Sequence, residues 1–128
     1  MKTILVDAAG TLLVEGNIFN DMQVLLDGFS NRKIVLTNAN DEQVKEFGID
    51  KSPYEVFTLK HNPDKTDPIY FNKMLSQFNL NSDDVIYFEH AEDAVKSAES
   101  VGIKTHYYDS SKKDLESLTK FLIDNLNQ

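Results

Sequence analysis

The chain of 128 residues contains no cysteine, and it has no long apolar run. Without cysteine, the chain can form neither disulfide bonds nor thiolate metal sites, and cysteine nucleophiles are excluded. No apolar stretch reaches the roughly 18–20 residues that a membrane-spanning helix needs. The start of the chain, residues 1–7, is too short and becomes acidic too soon for a signal peptide. These absences predict a cytoplasmic protein that does not enter a membrane.

Basic residues are scarce compared with acidic ones. There are 13 lysines and arginines against 21 aspartates and glutamates, which gives a formal charge of −8 and a pI near 4.7. An acidic surface repels the phosphates of nucleic acids, so broad nucleic-acid binding is not expected. Apolar residues make up 41% and charged residues 27%, a balance that excludes a disordered or collagen-like chain. The length predicts a single domain over residues 1–128.

Five short apolar runs alternate with five stretches of helical periodicity. Runs that are apolar at nearly every position are typical of strands buried on both faces of a parallel sheet. The predicted strands cover residues 3–6, 33–37, 54–58, 85–88 and 104–108. The predicted helices cover 18–29, 41–47, 68–78, the stretch before Gly102, and 115–126. This alternation predicts an open α/β sandwich whose ligand lies beyond the carboxyl ends of the strands.

Polar residues stand at several of these strand ends, within four ordered motifs. The first is the strand from Ile4 followed by Asp7-Ala8-Ala9-Gly10-Thr11, and the second is a strand ending in Thr37-Asn38. The third is Lys65-Thr66-Asp67-Pro68 before a helix, and the fourth is a strand ending in Glu89-His90. In this order and context the motifs resemble those of the haloacid dehalogenase-like (HAD) superfamily of aspartyl-nucleophile hydrolases, along almost the whole chain.

The resemblance implies a fold and a chemistry. The fold would be a Rossmannoid three-layer sandwich, with a five-stranded, mostly parallel sheet and helices on both faces. Asp7 would attack phosphorus, while Lys65 and a magnesium ion neutralise the transferring group. The hydroxyl of Thr37 would hold a phosphate oxygen. Further phosphate contacts would come from Asn38, Lys65 and the backbone of Ala8, Ala9 and Gly10.

Two departures from the family pattern bear on activity. Ala9 replaces the aspartate that serves as general acid in the phosphatases, and loss of a positioned acid typically slows a reaction by about 10²–10⁴-fold. Glu89 and His90 replace the aspartates of the fourth motif. The metal set implied by the resemblance is therefore Asp7, the backbone carbonyl of Ala9, Glu89 and His90. Since histidine is a poor magnesium ligand, manganese or another divalent ion is an alternative.

No substrate-selecting cap domain fits into the sequence. Residues 11–32 leave room for a loop and one helix, and residues 38–65 leave room for one helix and a short strand. We therefore expect an open site that takes a phosphorylated small molecule or a macromolecular phosphoester, or that a second subunit covers as a homodimer. His61 and His106 are interpreted as structural, and Asn38 and Asn40 as caps of the second helix.

Three functions follow from these residues. The first is a weak, metal-dependent phosphomonoester phosphatase that acts through an aspartyl-phosphate at Asp7. The alternative is a pseudoenzyme that kept the fold and serves as a binding or interaction domain. A receiver-like phosphoacceptor is a third interpretation, although the acceptor aspartate of a receiver ends the third strand and Asp7 ends the first.

Overall fold

The computed structural model describes residues 1–126, and a parallel sheet lies at its centre. The strands are β1 (Thr3–Asp7), β2 (Leu13–Val14), β3 (Asn17–Ile18), β4 (Lys33–Thr37), β5 (Glu55–Thr58), β6 (Val85–Glu89) and β7 (Lys104–Tyr107). Five of them form the main sheet in the order β5-β4-β1-β6-β7, and every neighbouring pair is parallel. The predicted five-stranded α/β sandwich is thereby confirmed.

Five helices cover the two faces of the sheet. They are α1 (Asn20–Asp27), α2 (Asp41–Glu46), α3 (Pro68–Phe78), α4 (Glu92–Ser100) and α5 (Leu115–Leu126). Helix α3 begins as the sequence predicts, because the Asp67 side chain accepts a hydrogen bond from the Ile69 N–H and Pro68 occupies the first turn. None of the helices within residues 1–126 is long and apolar enough to cross a membrane.

A small hairpin between β1 and α1 is absent from the sequence prediction, which allowed only a loop there. Strands β2 and β3 pair antiparallel through a two-residue turn in which both Glu15 and Gly16 have positive φ. Strands of two residues are too short to leave a detectable alternation of apolar and polar positions. As expected, no cap domain is inserted anywhere in residues 1–126.

The alternating side chains of β1 divide the core into two layers. Ile4 and Val6 face one layer and Leu5 faces the other, because successive side chains of a strand point to opposite faces. The first layer packs against α1 and α5, through Met22, Leu26, Leu118 and Leu122. The second packs against α3 and α4, through Tyr70, Phe71, Met74, Leu75 and Ala98.

The register of β1 and β6 brings two acidic residues together at the carboxyl edge of the sheet. Val6 pairs with Phe88, so the next residues, Asp7 and Glu89, end adjacent strands. Asp7 follows Leu5 by two positions and therefore points toward the face covered by α3. The loop that leads into α3 carries Lys65 over this edge, and its Nζ meets both carboxylates.

Phe71 anchors α3 over the face of the sheet that carries these acidic residues. Its side chain is fully buried, and its ring centroid lies 5.6 Å from that of Tyr87. We predict that Phe71→Ala lowers the free energy of unfolding by about 3–5 kcal/mol because it leaves a cavity in the core. Urea unfolding measures this, with Ile69→Ala on the exposed side of the same helix as control. An equal effect of both substitutions would contradict the packing described.

Candidate active site

A cavity of about 360 Å³ opens at the carboxyl edge of the sheet. Most of the residues predicted for the site line it: Asp7, Ala9, Thr37, Asn38, Lys65, Glu89 and His90. Ala8 is fully buried and belongs to the core beneath β1. The fold thus brings together residues that are separated by up to 83 positions in the sequence.

Lys65 joins the two acidic side chains at the floor of the cavity. Its Nζ donates to Asp7 Oδ1 at 2.7 Å and to Glu89 Oε1 at 2.9 Å. All three side chains are at most 6% exposed. Buried charges are stable only when they are paired and hydrogen-bonded, so this ion pair fixes the positions of all three groups.

His90 contacts the other oxygens of both carboxylates. Its Nδ1 is hydrogen-bonded to Asp7 Oδ2 and lies 3.3 Å from Glu89 Oε2. The hydroxyl of Thr11 also donates to Asp7 Oδ2, at 2.7 Å. Asp7 therefore has one oxygen held by Lys65 and a second oxygen held by Thr11 and His90.

The pKa values of the cluster follow from this arrangement. Burial by itself raises the pKa of Asp7, but the charge of Lys65 and the hydrogen bond with His90 outweigh burial and hold it well below its usual range. The hydrogen bond with Asp7, followed by that with Glu89, raises the pKa of His90 to about 10. Burial opposes the charge of Lys65, yet Asp7 and Glu89 raise its pKa above the usual value. At neutral pH the cluster therefore contains ionised Asp7 and two cations.

The remaining contacts of Glu89 complete the cluster. Oε1 accepts a hydrogen bond from the Tyr87 hydroxyl as well as from Lys65. Oε2 accepts from the backbone N–H of Ala91 at 3.1 Å. Both carboxylate oxygens of Glu89 are therefore engaged in hydrogen bonds within the fold.

Thr37 and Asn38 occupy the end of β4, on the opposite side of Asp7 from β6. The Thr37 hydroxyl accepts a hydrogen bond from the Ala39 N–H at 3.2 Å, which leaves its proton for another acceptor. Asn38 accepts from the Lys65 N–H at 2.7 Å and so positions the lysine loop. The capping interpretation is correct for Asn40, which forms a capping box with Gln43, and wrong for Asn38.

The turn after β1 departs from the prediction for Gly10. The Gly10 N–H donates to the Leu13 carbonyl at 2.8 Å and so already has an acceptor within the chain. Gly10 serves a different purpose, since a Cβ at this position would lie 2.8 Å from Cε1 of His90. Its φ of +89° also favours glycine. The turn therefore leaves room for the His90 ring, and Ala9 lines the cavity.

His61 lines the cavity, although the sequence analysis interprets it as a structural residue. Its Nδ1 lies 2.7 Å from Asp64 Oδ1, and its Nε2 contacts Oε1 of Gln43. Both His61 and Gln43 line the cavity, together with Phe47. Its position in the sequence could have indicated a place in the cavity, because His61 lies four residues before Lys65 in the loop that leaves the carboxyl end of β5. His106 lies outside this cavity, and its ring stacks on Phe121.

The cluster does not fit the divalent cation that the resemblance implies. Asp7, Glu89 and His90 do bring one potential ligand atom each within 4.8 Å of one another. However, an ionised carboxylate can only accept, so Nδ1 of His90 must carry the proton of its bond with Asp7 Oδ2. A metal ion could bind this nitrogen only by displacing its proton and breaking the hydrogen bond with Asp7 Oδ2.

A substitution at Lys65 tests whether its ion pairs with Asp7 and Glu89 stabilise the site. We predict that Lys65→Met destabilises the fold by about 3–5 kcal/mol, because two buried carboxylates lose their shared cation. Urea unfolding measures the change. The double variant Lys65→Met/Asp7→Asn should recover part of the loss, since it removes one of the orphaned charges. Wild-type stability in Lys65→Met would contradict the pairing.

Solved structures of known proteins share this fold. A HAD-superfamily hydrolase of subfamily IA from Geobacter sulfurreducens matches with a TM-score of 0.67 and 13% identity, over 92% of this chain and 99% of that chain. A D,D-heptose 1,7-bisphosphate phosphatase from Burkholderia thailandensis matches with a TM-score of 0.66 and 12% identity, over 100% of both chains. A HAD-family enzyme from Bacteroides thetaiotaomicron, in complex with magnesium and inorganic phosphate, matches with a TM-score of 0.62 and 13% identity, over 84% of this chain and 93% of that chain.

No protein-family model matches the chain, and no curated protein matches it in sequence. At 12–13% identity, the three structures establish the architecture and not the activity. Among residues 1–126 the main sheet has the strand order β5-β4-β1-β6-β7, and no cap domain is inserted. The described part of the chain, residues 1–126, has the fold of the HAD-superfamily hydrolases, with no cap domain inserted in it.

Proposed function

We propose that the chain binds a phosphomonoester in the cavity and transfers its phosphoryl group to Asp7. The observation that carries the proposal is the ionised Asp7 carboxylate at the cavity floor, where Oδ1 accepts a hydrogen bond from the Lys65 ammonium group. The hydroxyl proton of Thr37 is available in the same cavity to bind a phosphate oxygen. Phosphoryl transfer depends mainly on positioning and on positive charge, and this arrangement supplies both.

The reaction would proceed in two steps. Asp7 Oδ1 attacks phosphorus, the bond from phosphorus to the ester oxygen breaks, and that oxygen leaves with the electron pair. Water then attacks the phosphorus of the aspartyl-phosphate, which releases inorganic phosphate and returns the Asp7 carboxylate. Lys65 stabilises the charge on the transferring group, and Thr37 orients it.

Ala9 limits the substrates for which the first step is efficient. It lines the cavity but has no proton to give to the departing oxygen. Leaving groups that are stable as anions need no such proton. We therefore expect aryl phosphates to be turned over faster than alkyl phosphates.

The first test compares Asp7→Asn with wild type in the hydrolysis of para-nitrophenyl phosphate. We predict turnover by wild type and a loss of at least about 10³-fold in Asp7→Asn, because the nucleophile is removed. Asp93→Asn, the same change at an exposed position of α4, should leave the rate unchanged. Equal rates in wild type and Asp7→Asn would mean that the activity does not arise at this site.

A second test restores the missing acid. We predict that Ala9→Asp raises the rate of alkyl phosphate hydrolysis by about 10²–10⁴-fold, because a carboxyl group in the cavity can protonate the departing oxygen. Ala9→Asn has nearly the same shape and no acidic proton, so it should not raise the rate. An identical response to both substitutions would show that proton donation does not limit the reaction.

A binding domain without turnover is the second candidate. It is favoured by Asp7 Oδ2, which already accepts hydrogen bonds from Thr11 and His90, and by the absence of an acid at Ala9. This candidate predicts that inorganic phosphate perturbs the NMR signals of Thr37 and Lys65 although para-nitrophenyl phosphate is not hydrolysed. Turnover that depends on Asp7 excludes it.

A further inference from the structure

The ring of His90 lies where the two acidic strand ends converge. Its Nδ1 contacts Asp7 Oδ2, lies 3.3 Å from Glu89 Oε2, and lies 3.4 Å from the Thr11 hydroxyl. The ring rests on the backbone of Gly10, where any side chain would collide with it. The fold therefore provides a specific seat for this ring between the two carboxylates.

All the oxygens of the two carboxylates already have donors. Oδ1 of Asp7 accepts from Lys65, and Oδ2 accepts from Thr11 and His90. Glu89 Oε1 accepts from Lys65 and Tyr87, and Oε2 accepts from the Ala91 N–H. A metal ion bound to these oxygens would have to displace at least one of the donors.

The charges of the cluster also balance. Asp7 and Glu89 contribute two negative charges, and Lys65 and His90 contribute two positive charges. Adding a divalent cation would leave an excess of two positive charges in a largely buried site, which is unfavourable. Removing His90 instead would leave one net negative charge, which attracts a cation.

We infer that the imidazolium of His90 takes the place of a divalent cation between Asp7 and Glu89, so that the site needs no metal. The consequence for catalysis rests on the proposed function, whereas metal binding can be measured without it. In phosphoryl transfer, His90 would hold Asp7 Oδ2 while Oδ1 attacks phosphorus. Lys65 and His90 together would then supply the positive charge of the site.

The test measures the binding of Mn²⁺ alone, from the loss of its free-ion EPR signal. We expect His90→Ala to bind Mn²⁺ at least tenfold more tightly than wild type, because the substitution removes one of the two donors to Asp7 Oδ2 and a positive charge. If His90 were a metal ligand, the same substitution would weaken binding. The direction of the change therefore separates the two interpretations.

Three variants control the measurement. His90→Lys keeps a cation at this position and should bind Mn²⁺ as weakly as wild type. His61→Ala removes the other histidine of the cavity and should have no effect. His90→Asn serves as a second variant without a positive charge, in case His90→Ala does not fold. Binding to wild type that is as tight as, or tighter than, binding to the variants without His90 would overturn the inference.

The inference and the proposed function fail in different ways. If wild type hydrolyses para-nitrophenyl phosphate only with a divalent ion, and binds Mn²⁺ more tightly than His90→Ala does, the function stands and the inference is overturned. If no protein turns over substrate but Mn²⁺ binding follows the expected order, the inference stands and the function fails. Turnover in the presence of a chelator, lost in Asp7→Asn, supports both.

Discussion

The charge balance among Asp7, Glu89, Lys65 and His90 is the constraint on which the rest of the site depends. Parallel strands β1 and β6 end side by side, so the carboxylates of Asp7 and Glu89 lie close together, and both are buried. Such a pair is stable only with compensating cations. Lys65 brings the loop before α3 over the sheet edge, and His90 brings the turn before α4 against Gly10. The arrangement that stabilises the fold is thus also the arrangement that holds the Asp7 carboxylate at the floor of the cavity.

The strands and the residues that meet at their carboxyl ends could be predicted from the sequence, because parallel sheets follow simple rules. Strands buried on both faces appear as continuous apolar runs, and their carboxyl ends meet at one edge. Asp7, Thr37 and Glu89 end such runs, so their approach follows from the order of the strands. The Asp67-Pro68 helix start distinguishes Lys65, which precedes it, from other lysines, and the structure has that helix where the motif predicts it.

The features that escaped prediction depend on side-chain direction or on very short elements. A sequence places His90 at a strand end, but only the structure shows its Nδ1 hydrogen-bonded to Asp7 and thereby unsuited to a metal. The sequence pattern at Gly10 predicts a turn that binds phosphate. In the structure, the Gly10 N–H donates to the Leu13 carbonyl, and the lack of a side chain leaves room for the His90 ring. The β2–β3 hairpin has too few residues for any periodicity, and His61 lacks a motif that would set it apart.

In the proposed site, two side chains, Lys65 and His90, and not a metal, supply the positive charge beside Asp7. The most direct test is a crystal structure of the wild-type protein soaked with manganese and phosphate, with anomalous data collected at the manganese edge. We expect no anomalous peak between Asp7 and Glu89, with His90 still hydrogen-bonded to Asp7 and phosphate lying over Oδ1. A manganese peak within bonding distance of both carboxylates, with His90 displaced or acting as a ligand, would contradict it.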